Sequence, residues 1–291
     1  MKQTDIVIVG AGISGLTAAI YLKRSNANFI VLEGNVPGGL LNFLKEVENY
    51  PGFVKSDGKT ILNSLIEQVN SLNIDIEKGN VQSILKDPYG FKVVTDNQII
   101  LSKAVIVASG YKRNSEMIKG EKEYFGRGVS YCATCDGNFF KNQDVVVYGD
   151  GESSFEEALY LSNLVRTLYY VSTSKRTGFN KDNIKIISSN IVEIVGDDFG
   201  VKEIILSNNE KISCSGIFIY HGNKTAIEFL NGIKPSMNNN FIITDEDMKT
   251  DVEGLFAAGD VRNKSLRQLV TAASDGAIAA IEANKFIRIL K

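Results

Sequence analysis

Two stretches of this chain each read as a strand, a glycine loop, a helix and a second strand, and that repeated pattern limits the fold more than anything else in the sequence. In the first, Asp5-Ile-Val-Ile-Val9 is the unbroken apolar run of a parallel strand buried on both faces. Gly10-Ala-Gly12-Ile-Ser14-Gly15 follows, then an amphipathic helix expected over Leu16 to Arg24, then a strand, Phe29-Ile-Val-Leu32, ending in Glu33. Glycines in such a loop let backbone N–H groups approach a pyrophosphate at a helix start, where the helix dipole favours an anion. Glu33 lies 18 residues past Gly15, where a carboxylate accepts hydrogen bonds from a ribose diol. The loop alone is a weak signal. With strand, helix and terminal acid in order it reads as a dinucleotide-binding unit, with Gly10, Gly12, Ser14, Gly15 and Glu33 as its contacts.

The second unit runs from Asp144-Val-Val-Val-Tyr148 through Gly149-Asp150-Gly151-Glu152-Ser-Ser154, a helix over Phe155 to Leu164 and a strand over Thr167 to Val171. A chain of 291 residues has room for two such domains, each with its own core. The expected class is α/β, with two Rossmann-like (three-layer) dinucleotide-binding-type domains. A formal net charge of -2 argues against a nucleic-acid partner, because phosphate neutralisation needs a basic face. No apolar run approaches a membrane span, and Met1-Lys2-Gln3-Thr4 leads straight into a strand rather than a signal peptide, so we expect a cytoplasmic protein without a membrane partner.

Between the two units lies Cys132-Ala-Thr-Cys135-Asp136, a CxxC pair followed at once by a carboxylate. In a reducing compartment a CxxC is usually catalytic or metal-binding. Cys132, Cys135, Cys214 and the single histidine, His221, could formally supply four zinc ligands. Structural zinc sites draw their second ligand pair from another tight motif, whereas Cys214 and His221 stand seven residues apart in a strand-to-loop passage. We therefore expect no metal, and read Cys214 as a small buried apolar residue. Near the C-terminus Gly254-Leu-Phe-Ala-Ala-Gly259-Asp260 reads as a short strand entering a Gly-Asp turn. A long helix is expected over Thr271 to Leu290, with small residues on a side that could approach a sheet or ligand closely.

Taken together these residues resemble the low-molecular-weight thioredoxin reductase family over nearly the whole chain. The first glycine loop and Glu33 match its FAD fingerprint. Pro37-Gly38-Gly39-Leu40-Leu41 resembles its flavin-flanking Gly-Gly-Gln-Leu segment, with Leu40 in place of glutamine, and Glu48-Asn49-Tyr50-Pro51-Gly52 matches its ENxPG segment. Ala108-Ser109-Gly110 looks like the strand end where the chain leaves the FAD domain, and Gly259-Asp260 with Arg267-Gln268 matches the C-terminal flavin motif. The resemblance implies an FAD-binding domain split into residues 1–111 and 241–291, a redox-disulfide domain inserted over 112–240, and a homodimer. It also implies roles: Cys135 meets the flavin, Cys132 attacks the thioredoxin disulfide, and Asp136 acts as general acid.

The departures bear on the electron donor. NADPH-using members carry GxGxxA in the inserted domain and a His-Arg-Arg cluster, with a further arginine, after its second strand. Here the loop ends in Ser154, and Ser172-Thr173-Ser174 stand at the cluster's place. Hydroxyls cannot replace fixed positive charge in a phosphate clamp. No acid ends that strand to hold an unphosphorylated ribose, Asp150 and Glu152 add negative charge to the loop, and the helix expected after the clamp is hard to find between Lys175 and Ile184. The family's Gly-His-x-Pro-Asn turn appears as Tyr220-His221-Gly222-Asn223-Lys224, out of pattern. We expect NADPH not to be used. The pattern resembles the ferredoxin-dependent flavin thioredoxin reductases of anaerobic bacteria, which implies ferredoxin as donor and thioredoxin as acceptor. Lys175 and Arg176 leave an NADPH-dependent enzyme as an alternative, and a flavin redox switch without turnover is another. A glutaredoxin-like or peroxiredoxin-linked acceptor is equally compatible with these residues. Hinges are expected near Tyr111–Arg113 and Asn239–Phe241, and Lys112-Arg113 or Arg262-Asn-Lys264 could meet an acidic electron carrier.

Overall fold

The first apolar run forms β1 (Lys2–Val9), and the helix begins at Ile13 rather than Leu16, as α1 (Ile13–Arg24), because Gly12 takes an extended backbone and caps it. The computed structural model describes residues 1–113, 118–174, 178–221, 223–238 and 240–290. After α1 come β2 (Phe29–Glu33) and α2 (Gly58–Ser71), whose start is capped by Asp57 accepting the Thr60 N–H. Then follow β3 (Ile76–Lys78), β4 (Val81–Asp87), β5 (Gly90–Thr95), β6 (Ile99–Val107) and β7 (Tyr111–Arg113). Next are β8 (Val129–Ser130), α3 (Ala133–Asp136), β9 (Asp144–Tyr148), α4 (Glu152–Leu161), β10 (Thr167–Ser172) and β11 (Ile184–Ser188). The strands β12 (Ile191–Asp197), β13 (Gly200–Leu206), β14 (Lys211–Ser213) and β15 (Gly216–Ile219) complete the middle of the chain. Its last part holds β16 (Asn223–Thr225), β17 (Met237–Asn238), β18 (Phe241–Ile242), β19 (Leu255–Ala257) and α5 (Leu269–Ile289).

By its internal contacts the chain divides into two units, Met1–Lys112 with Lys224–Lys291, and Arg113–Asn223. In the first the sheet order is β3-β2-β1-β6-β5-β4, and β19 also pairs with β6. The long β6 serves two neighbours on one edge: Ile99–Ser102 run antiparallel to β5, and Val105–Val107 run parallel to β19. Alternation along β1 divides the core between the sheet's two sides. Ile6 and Ile8 pack with Leu16 of α1 and Ala279 and Ala283 of α5, while Val7 and Val9 pack with Phe91, Phe229 and Ile233. Each side chain of this size removed from water contributes about 1.5–3 kcal/mol.

The return from the middle of the chain comes earlier than the expected residue 241. Phe229, Leu230 and Ile233 are buried with Val7, Ile84 and Phe91, which ties residues 224–240 to the first unit rather than to the inserted one. The boundary between the two units accordingly falls between Asn223 and Lys224, not at the expected Asn239–Phe241; Asn239 itself lies outside the described residues, and Phe241 stacks on Tyr111 within the first unit. In the second unit β11-β10-β9-β15-β8 form a parallel sheet and β12-β13-β14 an antiparallel one. Among the described residues no helix joins β10 to β11, as the sequence leads one to expect. Parallel sheets with crossover helices give the α/β class in both units. Among the described residues no helix is long and apolar enough to cross a membrane.

Candidate active site

Two sets of residues stand out, one in each unit. In the first, β1 ends against Gly10-Ala-Gly12, and a Cβ at Gly12 or Gly110 would meet no atom within 4 Å, so the backbone there faces open space. Glu33, at the end of β2, holds this loop: its Oε2 accepts the Ala11 N–H (2.8 Å) and its Oε1 the Asn35 N–H (2.9 Å). The segment carrying Gly39 and Leu40 is tied to the same loop by Gly38 N–H donating to the Ala11 carbonyl (2.7 Å), and Leu40 is exposed. Asn49 donates to Gln268 Oε1 (3.0 Å), and Gln268 caps α5 in a reciprocal pair with Thr271. Arg267 lies over the Phe241 ring, 3.9 Å from its centre. Ser14 is buried beneath Gly259.

Two buried oxygens in this region accept or donate no hydrogen bond, Ser109 Oγ and Asp260 Oδ1, although the Lys264 ammonium stands 3.4 Å from the latter. Burial pushes the Asp260 carboxyl above the ordinary carboxylate range. Orphaned polar atoms beside open glycine backbone fit a ligand rich in hydroxyl and phosphate oxygens. Asp275 was not anticipated from the sequence. It is buried in α5 and accepts from Gly259 N (3.1 Å), Arg262 Nε (3.0 Å) and Lys264 Nζ (3.0 Å), so it fixes the Gly-Asp turn. An acid set among the small residues of that helix was the available signal. This network corrects one expectation: Arg262 and Lys264 are spent on a buried carboxylate and do not present a docking surface. The Lys112 and Arg113 side chains lie outside the described residues.

In the second unit Cys132 and Cys135 form a disulfide. Cys132 caps the short helix α3, within which Cys135 lies, and Cys132 Sγ accepts the Cys135 N–H (3.2 Å). Side chains outside the motif hold this turn. Ser130 Oγ accepts the Cys132 N–H (3.1 Å) and donates to Asp136 Oδ2 (2.5 Å), the Tyr220 hydroxyl accepts the Ala133 N–H (2.9 Å), and Tyr131 donates to buried Glu121 (2.8 Å). Tyr220 also bonds Glu157, whose carboxyl is pushed upward by burial. None of these supports was singled out in the sequence, since no motif spacing marks them.

The glycine loop after β9 is turned to another use. Asp150 Oδ1 accepts from Ser172 Oγ (2.7 Å), Thr173 N (2.7 Å) and Ser174 N (3.0 Å), and Oδ2 meets His221 Nδ1 (2.9 Å). Burial would raise the Asp150 carboxyl, but these donors hold it well below the usual carboxylate range. His221 stacks on Tyr148. Ser154 is buried, donating to the Gly151 carbonyl (2.6 Å) and sharing a hydrogen bond with Tyr170 (2.8 Å). Lys175, Arg176 and Gly222, and the Glu152 side chain, lie outside the described residues.

Among the described residues no group of His, Cys, Asp or Glu is arranged to hold a metal. Cys214 is buried, which pushes its thiol up to about 12. A thiol so held is inert at neutral pH. Titration of the reduced, folded protein with an aromatic disulfide reagent at pH 8 is therefore expected to count two thiols, Cys132 and Cys135, with the third appearing only on unfolding. A rapid third equivalent would contradict the burial.

The family model described as Pyridine nucleotide-disulphide oxidoreductase matches residues 4–276. The chain is 36% identical to a thioredoxin reductase of Listeria innocua, over 100% of this chain and 96% of that protein. Among solved structures it is similar to the thioredoxin reductase of Streptococcus pyogenes (34% identity, 99% of each chain, TM-score 0.87). It is also similar to a ferredoxin-flavin thioredoxin reductase of Clostridium acetobutylicum (31% identity, 100% of this chain and 99% of that one, TM-score 0.58).

Proposed function

The chain belongs to the pyridine nucleotide-disulphide oxidoreductase family as a thioredoxin reductase homologue, and we propose that it passes electrons from reduced ferredoxin through FAD and the Cys132–Cys135 pair to thioredoxin. The observation that carries the choice of donor is Asp150. Its carboxylate accepts the very N–H and O–H donors, at the end of β10, that a nucleotide 2′-phosphate would need. Two like charges about 4 Å apart repel by about 4 kcal/mol at an effective dielectric of about 20, or about 10³-fold in affinity. The likeness to the ferredoxin-flavin thioredoxin reductase of Clostridium acetobutylicum supports the same donor.

FAD would be held by Gly10, Gly12, Ser14, Gly15 and Glu33 at one end, with Gly39, Leu40, Asn49, Ser109, Gly110, Gly259, Asp260, Arg267 and Gln268 as further contacts. When bound it supplies the electron pair that opens the Cys132–Cys135 disulfide. The dithiol then does the exchange. By the family resemblance Cys132 is the attacking sulfur; in the disulfide it accepts the Cys135 N–H at the start of α3, a donor placed where a thiolate would form. Its sulfur bonds to one sulfur of the thioredoxin disulfide while that disulfide breaks, and Asp136 protonates the sulfur that leaves. Cys135 then attacks Cys132, restoring the internal disulfide and releasing the second thioredoxin thiol.

Anaerobic titration of the visible flavin band tests the donor. Reduced ferredoxin is expected to bleach the band, oxidised thioredoxin to restore it, and excess NADPH or NADH to leave it unchanged. The second reading, an NADPH-dependent reductase, is favoured by Gly151, where a Cβ would meet no atom within 4 Å and the backbone stays open to a pyrophosphate. Rapid bleaching by NADPH would select it.

A further inference from the structure

We propose that Ser130 is the positioning residue for Asp136, fixing where its carboxyl sits and setting the pH at which it gives up its proton. The inference rests on the reading of Asp136 as the proton donor to the leaving sulfur. Ser130 ends β8, pairs with Phe218 of β15 and is 4% exposed, so its hydroxyl has a fixed surrounding. That hydroxyl accepts the Cys132 N–H at 3.1 Å, which turns its own proton away from the cysteine backbone. Of the two acceptors within its reach, Asp136 Oδ2 at 2.5 Å outcompetes the Cys132 carbonyl at 3.3 Å. One side chain thus joins the backbone of the attacking cysteine to the carboxyl that protonates the product.

The sign of the effect follows from the donor. A hydroxyl proton stabilises the ionised carboxylate, so removing it raises the pH at which Asp136 ionises. A hydrogen bond to a charged acceptor is worth about tenfold in the dissociation constant, about one pH unit. Among the described residues the other titratable groups around this turn include the Cys132 and Cys135 thiols, the Tyr131 and Tyr220 hydroxyls, Glu157 of α4 reached through Tyr220, and Glu121 reached through Tyr131. All of them are unchanged in the variants below.

The test is the rate at which the whole flavoprotein, reduced at its dithiol, reacts with 2-hydroxyethyl disulfide as a function of pH. In the wild type a descending limb is expected, set by loss of the Asp136 proton. D136N is expected to abolish that limb, S130A to move it up by about one pH unit, S130T to restore it, and S130A/D136N to match D136N alone. If D136N loses the limb while S130A superimposes on the wild type, the assignment of Ser130 is wrong and the role of Asp136 stands. If D136N leaves the limb intact, Asp136 is not the donor and the assignment of Ser130 falls with it. Should S130A fail to fold by circular dichroism, D136E carries the test. It keeps a carboxyl but draws it out of the 2.5 Å contact, so the limb must move, and an unmoved limb overturns the proposal.

Discussion

Cys135→Ser is expected to leave a yellow, folded protein whose thioredoxin turnover falls by at least about 10³-fold. The electron pair crosses this protein as a bond between two sulfurs, and one thiol cannot close an internal disulfide. The two single variants differ in what they trap. With Cys135 gone, Cys132 still attacks thioredoxin but nothing resolves the product, so a stable mixed disulfide accumulates and is visible by mass spectrometry. Cys132→Ser loses the same turnover without that adduct. Cys214 offers no substitute, because burial keeps its thiol protonated far above neutral pH. If Cys132→Ser forms the adduct and Cys135→Ser does not, the assignment of the attacking sulfur is reversed.

Gly276→Val is expected to cost more than about 3 kcal/mol of stability and to empty the first unit of flavin. A Cβ at Gly276 in α5 would stand 2.1 Å from the Ser14 carbonyl oxygen in α1. Both partners are helix backbone, so no rotamer relieves the clash, and the helices must separate. Separation uncovers Ala279 and Ala283, and displaces Ser14 from beneath Gly259. Gly12→Ala is the contrasting case. Its new methyl group meets nothing in the protein, so the apo form should melt with the wild type while holding less FAD. Thermal melts with and without added FAD separate the two effects. Wild-type flavin content in Gly276→Val would show that the crossing is not tight.

What could be read from the residues alone follows from how local each signal is. The βαβ units, the CxxC and the Gly-Asp turn announce themselves because strand, loop and helix signals there lie within a few residues of one another. Small residues of α5 also pointed to a close approach to a sheet or ligand; Ala279 and Ala283 do pack on the sheet with Ile6 and Ile8, while the crossing with α1 at Gly276 was not foreseen. The return of the chain at residue 224 was illegible. It depends on Phe229 and Ile233 finding Phe91, a contact far apart in sequence that no period reveals. The same holds for Asp275, which gathers Arg262 and Lys264, and for Ser130 and Tyr220 around the disulfide. The sequence marked Asp150 only as a negative charge in the second glycine loop; its engagement with Ser172 and His221 needed three dimensions.

The pairing of β19 with β6, and of α5 with α1, has a consequence for synthesis on the ribosome. When β6 leaves the exit tunnel, its second half has no partner along that edge, and the groove of α1 that will take α5 stands bare. The whole of Arg113–Asn223 must be translated before the missing pieces arrive. At about 5–20 residues per second that is a delay of roughly 6–20 seconds. The second unit, continuous in sequence, is finished first, while the nascent first unit waits as an exposed apolar edge, the form in which a chaperone is most needed.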